Sequence, residues 1–226
     1  MRRIQVYPSL LAADFSNLGQ EIATVENAGA DGIHFDVMDG HFVPNISFGS
    51  VVLAAIRGIT TLPFWVHLMI TDPHMFITDF IDAGANGIFI HPEIDGNISV
   101  LSKEIKQKGV QPGMAINPET KIEDIKELLP YFQDFLIMTV QPGFGGQVML
   151  KDALIKIQQI KKLAKDWNAP PVIHVDGGVN FGTVQEVVKA GADVLVAGSS
   201  IFKQPNQEIA LKQLRKQALE SLNSKE

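Results

Sequence analysis

Two copies of a His-x-Asp pattern, His34-Phe35-Asp36 and His174-Val175-Asp176, each close an apolar run shortly before an Asp-Gly or Gly-Gly pair. Residues two apart in a β-strand face the same way. Each pattern therefore aims an imidazole and a carboxylate in one direction at the C-terminal end of a strand. These groups can ligate a cation, and they can also take and return protons near neutral pH. Other polar residues stand where further apolar runs stop: Ser9, His67, His91 with Glu93, Asn117, and Gly198-Ser199-Ser200. Two imidazoles and two carboxylates from three strands can converge on one ion, a donor set suited to zinc, manganese, cobalt or ferrous iron. Three glycine-bearing stretches, 143–146, Gly177-Gly178 and Gly198-Ser199, allow backbone N–H groups to approach a phosphate. No G-x-x-x-x-G-K-[ST] pattern occurs, so nothing supports nucleoside triphosphate binding.

Such groups need rigid carriers, and the chain supplies a repeating one. Ala28-Gly29-Ala30-Asp31, Ala83-Gly84-Ala85-Asn86 and Ala190-Gly191-Ala192-Asp193 each end a helix-like stretch and precede a run rich in Ile, Phe or Val. Glycine is favoured just past a helix C-terminus, where positive φ is needed. Strands are expected near 4–8, 32–38, 62–69, 87–91, 110–116, 134–140, 172–176 and 193–198, alternating with eight amphipathic segments. Near-continuous apolar strands such as 135–140 imply burial on both faces, hence parallel strands covered by helices. Eight βα units of about 28 residues fit a single (β/α)8 TIM barrel over residues 1–226, with the functional groups at the C-terminal ends of its strands. An open doubly wound sheet is the alternative, and the absence of G-x-G-x-x-G after the first strand counts against it. A helix over roughly 206–221 carries a solvated charged face. Trp65 is expected to pack outward against a helix. Met38, Met69, Met114 and Met138 read as core fillers, or alternatively as a dry lining for the site. His41 reads as a loop residue and His74 as part of a helix start.

Composition narrows the chemistry. The 226 residues include no cysteine, which removes thiolate mechanisms, disulfides and Cys-based metal sites. A hydrophobic share of 46% is enough for a large core. The net charge of −6 argues against a nucleic-acid or anionic-membrane surface. The basic start Met-Arg-Arg-Ile-Gln-Val-Tyr-Pro meets Gln5 and Pro8 before an apolar signal segment can form, so a cytoplasmic location is expected.

Nearly the whole chain, from Pro8 to Phe202, resembles the ribulose-phosphate 3-epimerase family. The resemblance is carried by Pro8-Ser9-Leu10-Leu11-Ala12-Ala13-Asp14-Phe15, by the stretch from His34 to Asn45, and by His67-Leu68-Met69. Gln141-Pro142-Gly143-Phe144-Gly145-Gly146-Gln147 and Val175-Asp176-Gly177-Gly178-Val179 complete it. It implies a metal-dependent barrel that inverts C3 of a ketopentose phosphate, ribulose 5-phosphate to xylulose 5-phosphate, and assembles as a dimer or hexamer. It further implies that His34, Asp36, His67 and Asp176 hold one divalent ion (Zn, Fe, Mn or Co), and that Asp36 and Asp176 transfer the protons. Ser9 and His67 would touch the sugar phosphate, while Gly143, Phe144, Gly145, Gly146, Gly177, Gly178, Gly198 and Ser199 would surround it. Three positions depart from the family pattern: Ala12 in place of Ser, Gln141 in place of Asn, Glu or Asp, and His174 in place of Glu. They bear on substrate preference and pH profile. An allulose-6-phosphate 3-epimerase on the same framework is the nearest alternative, and a non-catalytic phosphate-binding barrel the more distant one. A decarboxylase or lyase would bring a catalytic Lys to a strand end, and no strand-end position carries one.

Overall fold

A computed structural model describes residues 3–223; Met1 and Arg2 of the basic amino-terminal stretch lie outside the described residues. Eight strands alternate with helices: β1 (Gln5–Pro8), β2 (Ile33–Met38), β3 (Phe64–Met69), β4 (Gly87–Ile90), β5 (Gln111–Ile116), β6 (Asp134–Met138), β7 (Val172–Asp176) and β8 (Val194–Ala197). All pair in parallel, in the order β1-β8-β7-β6-β5-β4-β3-β2. One isolated parallel bridge, Ser9 to His34, joins the two outermost strands and makes the sheet a (β/α)8 TIM barrel. The expected strands are all present, β7 with the expected bounds and the others with ends trimmed by one or two residues.

The outer layer comprises α1 (Leu18–Asn27), α2 (Ser50–Arg57), α3 (Ile77–Asp82), α4 (Ile98–Gln107), α5 (Ile122–Ile125), α6 (Ile155–Leu163), α7 (Val184–Ala190), α8 (Ser199–Phe202) and α9 (Gln207–Asn223). The Ala-Gly stops act as expected: Gly29, Gly84 and Gly191 follow α1, α3 and α7 with φ of 95°, 98° and 122°. Among the described residues no helix is long and apolar enough to cross a membrane.

Two layers of core follow from strand alternation. Outward-facing Ile33, Phe35, Val66, Leu68, Ile88, Ile137 and Val175 are buried under the helices. A second cluster, including Tyr7, Trp65, Phe89, Leu136, Val194 and Val196, fills the barrel itself. Trp65 therefore points inward, contrary to the sequence expectation. It shares strand parity with His67, stacks on Phe89 with ring centroids 4.6 Å apart, and lies 4.9 Å from the His174 ring. Small neighbours make this possible, because a Cβ on Gly87 would fall 2.4 Å from the indole, and one on Gly113 would fall 2.3 Å from the Phe89 ring. His174 completes this layer, buried, with Nε2 3.0 Å from Asp134 Oδ1. The methionines divide: Met114 is core, whereas Met38, Met69 and Met138 line a cleft at the C-terminal mouth of the barrel. His41 lies in a loop, as expected, and His74 lies in a single 3-10 turn ahead of α3.

Candidate active site

Parallel register places the polar strand ends side by side. Asp36 on β2 stands opposite His67 on β3, and Asp176 ends β7 beside Met138 of β6. Asp36 Oδ1 is 3.1 Å from His34 Nε2 and 3.1 Å from His67 Nδ1, while its Oδ2 accepts a 2.6 Å hydrogen bond from Ser9 Oγ. Asp176 Oδ2 approaches His34 Nε2 at 3.8 Å. One donor atom from each of His34, Asp36, His67 and Asp176 lies within 4.8 Å of all the others. Two imidazoles and two carboxylates packed this closely fit the donor set of a divalent ion, and the repulsion between the two acids fits it further. Burial and then the charge of Asp36 push the Asp176 carboxyl up to about 7. Burial also opposes the charge of Asp36, but His34 and His67 outweigh it and hold Asp36 well below the usual carboxylate range. A cation between them relieves both the desolvation and the repulsion.

The imidazoles answer the same field unequally. Burial works against a charge on His34, yet Asp36 and Asp176 overcome it and raise its pKa. His67 is lowered to about 4, chiefly by burial, because its bond to Asp36 compensates only in part. Neutral imidazole is the form that ligates metal.

The cleft above these groups is lined by Ser9, Ala12, Asp36, Asp176, Gly143, Phe144, Gly145, Gly146, Gly177, Gly178, Gly198 and Ser199. His34 and His67 have no exposed surface and lie behind the two carboxylates, outside the lining. Gly177 and Gly178 adopt φ of 111° and 64°, so the chain can turn sharply after Asp176 and keep its backbone against the cleft. Gly198 precedes α8, and a Cβ there would meet Ala12 Cβ at 3.2 Å. Of the three departures from the family pattern, Ala12 lines the cleft, Gln141 donates to Glu119, and His174 sits one layer down in the barrel.

Two loops meet over the site. Asn45 Nδ2 donates to Gly143 O at 2.8 Å, tying the segment after β2 to the one after β6. Asp39 anchors the former by accepting from the N–H groups of His41, Phe42 and Thr71 and from Thr71 Oγ1. Sequence reading passed over these anchors, although Asp39-Gly40 is a turn signal of the kind that announces such local capping. It also passed over the connection of His91 and Glu93 to His67, for which sequence spacing carries no signal. Lys156, a buried lysine of α6, donates to the carbonyls of Asn117 and Pro118 and lies outside the cleft lining.

A sequence model of the ribulose-phosphate 3 epimerase family matches residues 5–202. A Bacillus subtilis protein named ribulose-phosphate 3-epimerase is 44% identical over 213 residues, covering 94% of this chain and 98% of the relative. A chloroplastic ribulose-5-phosphate-3-epimerase of Arabidopsis thaliana is 42% identical over 214 residues, covering 94% of this chain and 76% of that protein. Among solved structures, a 3-hexulose-6-phosphate synthase from Salmonella typhimurium is similar with a TM-score of 0.71 at 17% identity, covering 98% of this chain and 100% of that one. KGPDC from Streptococcus mutans gives 0.72 at 11% identity, covering 96% of this chain and 98% of that one. At such identities these two structures speak to the barrel alone.

Proposed function

The chain belongs to the ribulose-phosphate 3-epimerase family, and on that premise we propose that it interconverts D-ribulose 5-phosphate and D-xylulose 5-phosphate by proton transfer between Asp36, C3 of the sugar and Asp176. The observation that carries this reading is the pair of carboxylates that β2 and β7 bring into one cluster at the mouth of the barrel, with surroundings that push Asp36 below and Asp176 above the ordinary carboxylate range. Environments that push two acids apart assign one as base and the other as acid.

In one direction Asp36 removes the C3 proton, and the C–H electron pair moves toward the C2 carbonyl to form an enediolate. Asp176 then returns a proton to C3 from the opposite side, and the configuration inverts. The roles exchange in the reverse reaction. Ser9, through its bond to the Asp36 oxygen Oδ2, orients the base. His34, Asp36, His67 and Asp176 would hold a divalent ion, which when bound would supply positive charge near the enediolate oxygens, a contribution of several kcal/mol. Met38, Met69 and Met138 keep this part of the cleft apolar, which strengthens charge interactions there. The backbone around Gly143, Gly145, Gly146, Gly177, Gly178, Gly198 and Ser199 receives the phosphate, with Phe144 beside it. We further read residues 1–226 as one catalytic domain, working in the cytoplasm as a dimer or hexamer.

The test is epimerisation of ribulose 5-phosphate in D₂O, with allulose 6-phosphate as the competing substrate. Xylulose 5-phosphate from the first turnovers should carry deuterium at C3, and Asp36→Asn and Asp176→Asn should each lose about 10²–10⁴-fold in kcat. Product free of solvent deuterium would refute the two-carboxylate route, and a higher kcat/KM for allulose 6-phosphate would reassign the substrate.

A further inference from the structure

Behind the cluster, His67 Nε2 lies 2.8 Å from His91 Nε2, and His91 Nδ1 lies 3.1 Å from Glu93 Oε2. His67 and His91 are fully buried, so no solvent intervenes. The other oxygen of Glu93 accepts from the Asn117 N–H and from Thr120 Oγ1, which fixes the carboxylate from the β5 side. We propose that Glu93 and His91 are positioning residues that set the tautomer of His67, presenting its Nδ1 lone pair to the ion that His34, Asp36, His67 and Asp176 would hold.

The argument is a count of protons. Only one proton can occupy the contact between the two Nε2 atoms. If neutral His91 kept its proton on Nε2, its bare Nδ1 would face the Glu93 oxygen, lone pair against lone pair. The carboxylate therefore favours the proton on His91 Nδ1. His91 Nε2 then accepts from His67 Nε2–H, and His67 is left with an unprotonated Nδ1. That atom points at Asp36 Oδ1 from 3.1 Å, an arrangement of two electron pairs that calls for a cation between them. Without the relay, the same imidazole could place its proton on Nδ1 and donate it to Asp36, which closes the ligand position. Partners of this kind typically change metal affinity 10–100-fold.

The inference rests on the ligand set proposed above, and the experiment separates the two. Metal-free protein is titrated with Co²⁺ and followed by its visible absorption, while ¹⁵N-histidine NMR of the Zn²⁺-loaded wild type reads the tautomers directly. In Glu93→Gln the amide oxygen is drawn to the Asn117 and Thr120 donors, so the NH₂ group faces His91 and reverses the relay. We expect about 10–100-fold weaker Co²⁺ binding with the far-ultraviolet circular dichroism unchanged. In the wild type, His67 should carry its proton on Nε2 and His91 on Nδ1. A His91 protonated at Nε2 alone overturns the proposal without any variant, as does Co²⁺ affinity unchanged in Glu93→Gln. If His67→Gln also binds Co²⁺ like the wild type, the ligand set itself is wrong; if it binds weakly while Glu93→Gln does not, only the relay fails.

Discussion

Gly177 and Gly145 line the same cleft, yet the structure assigns them opposite sensitivities. Gly177 has a φ of 111°, and a Cβ there would fall 2.5 Å from Val140 Cγ2 and 2.9 Å from the Val140 backbone nitrogen. The backbone neighbour cannot rotate away. Positive φ costs an alanine about 1–2 kcal/mol, and forced overpacking adds about 1–3 kcal/mol, so Gly177→Ala should lose about 2–5 kcal/mol. For a chain of 226 residues with an unfolding entropy of about 2.1 cal/mol/K per residue, this lowers Tm by about 4–10 °C. The displacement falls on the residue after Asp176, so kcat should fall as well. Gly145 adopts no positive φ, and a Cβ there meets no atom within 4 Å. Gly145→Val should therefore stay within about 0.5 kcal/mol of wild type while raising KM for ribulose 5-phosphate, because the branched side chain enters the part of the cleft in which we place the phosphate. Urea unfolding, thermal melts and steady-state kinetics on both variants decide the matter. A Gly177→Ala protein melting within about 1 °C of wild type, or equal destabilisation by both substitutions, would refute this account of the turn.

Two further outcomes are expected. Hydrogen bonds from Thr71, His41 and Phe42 overcome burial and hold the Asp39 carboxyl at about 2, below its ordinary value. A depressed folded pKa stabilises above the unfolded value of about 3.9, and the contribution is lost as pH falls through about 2. Because the group is largely solvated, we expect about 1 kcal/mol. The urea stability gap between wild type and Asp39→Asn should shrink from about pH 5 to about pH 2.5, and a gap that grows on acidification would contradict it. Chelation should abolish epimerisation while leaving the circular dichroism spectrum intact, because the core does not depend on the ion, and added Zn²⁺, Mn²⁺, Co²⁺ or Fe²⁺ should restore turnover; full activity in rigorously metal-free protein would contradict the ligand reading.

Eight buried strands, the glycine stops after α1, α3 and α7, and the strand-end placement of His34, Asp36, His67 and Asp176 were legible in the linear chain. Each depends on local periodicity or on one residue's backbone freedom, which neighbours in sequence express. Tertiary structure decided the rest, because it concerns atoms far apart along the chain. Closure of the barrel rests on the Ser9–His34 bridge and on the bond from the Asp31 N–H to Val6 O, the final step of a register that accumulates around all eight strands. Strand alternation already put Trp65 on the face of His67, two residues on, but the room for its ring and the Phe89 ring comes from Gly87 and Gly113 on other strands. The unequal acidities of Asp36 and Asp176 arise from burial and from charges brought in by β2, β3 and β7 together. His91 and Glu93 stood in plain view as polar residues after β4, but their link to His67 exists only where adjacent parallel strands set two imidazole nitrogens 2.8 Å apart. A strand's own sequence determines which side chains share a face, and only the pairing of strands determines which atoms meet across it.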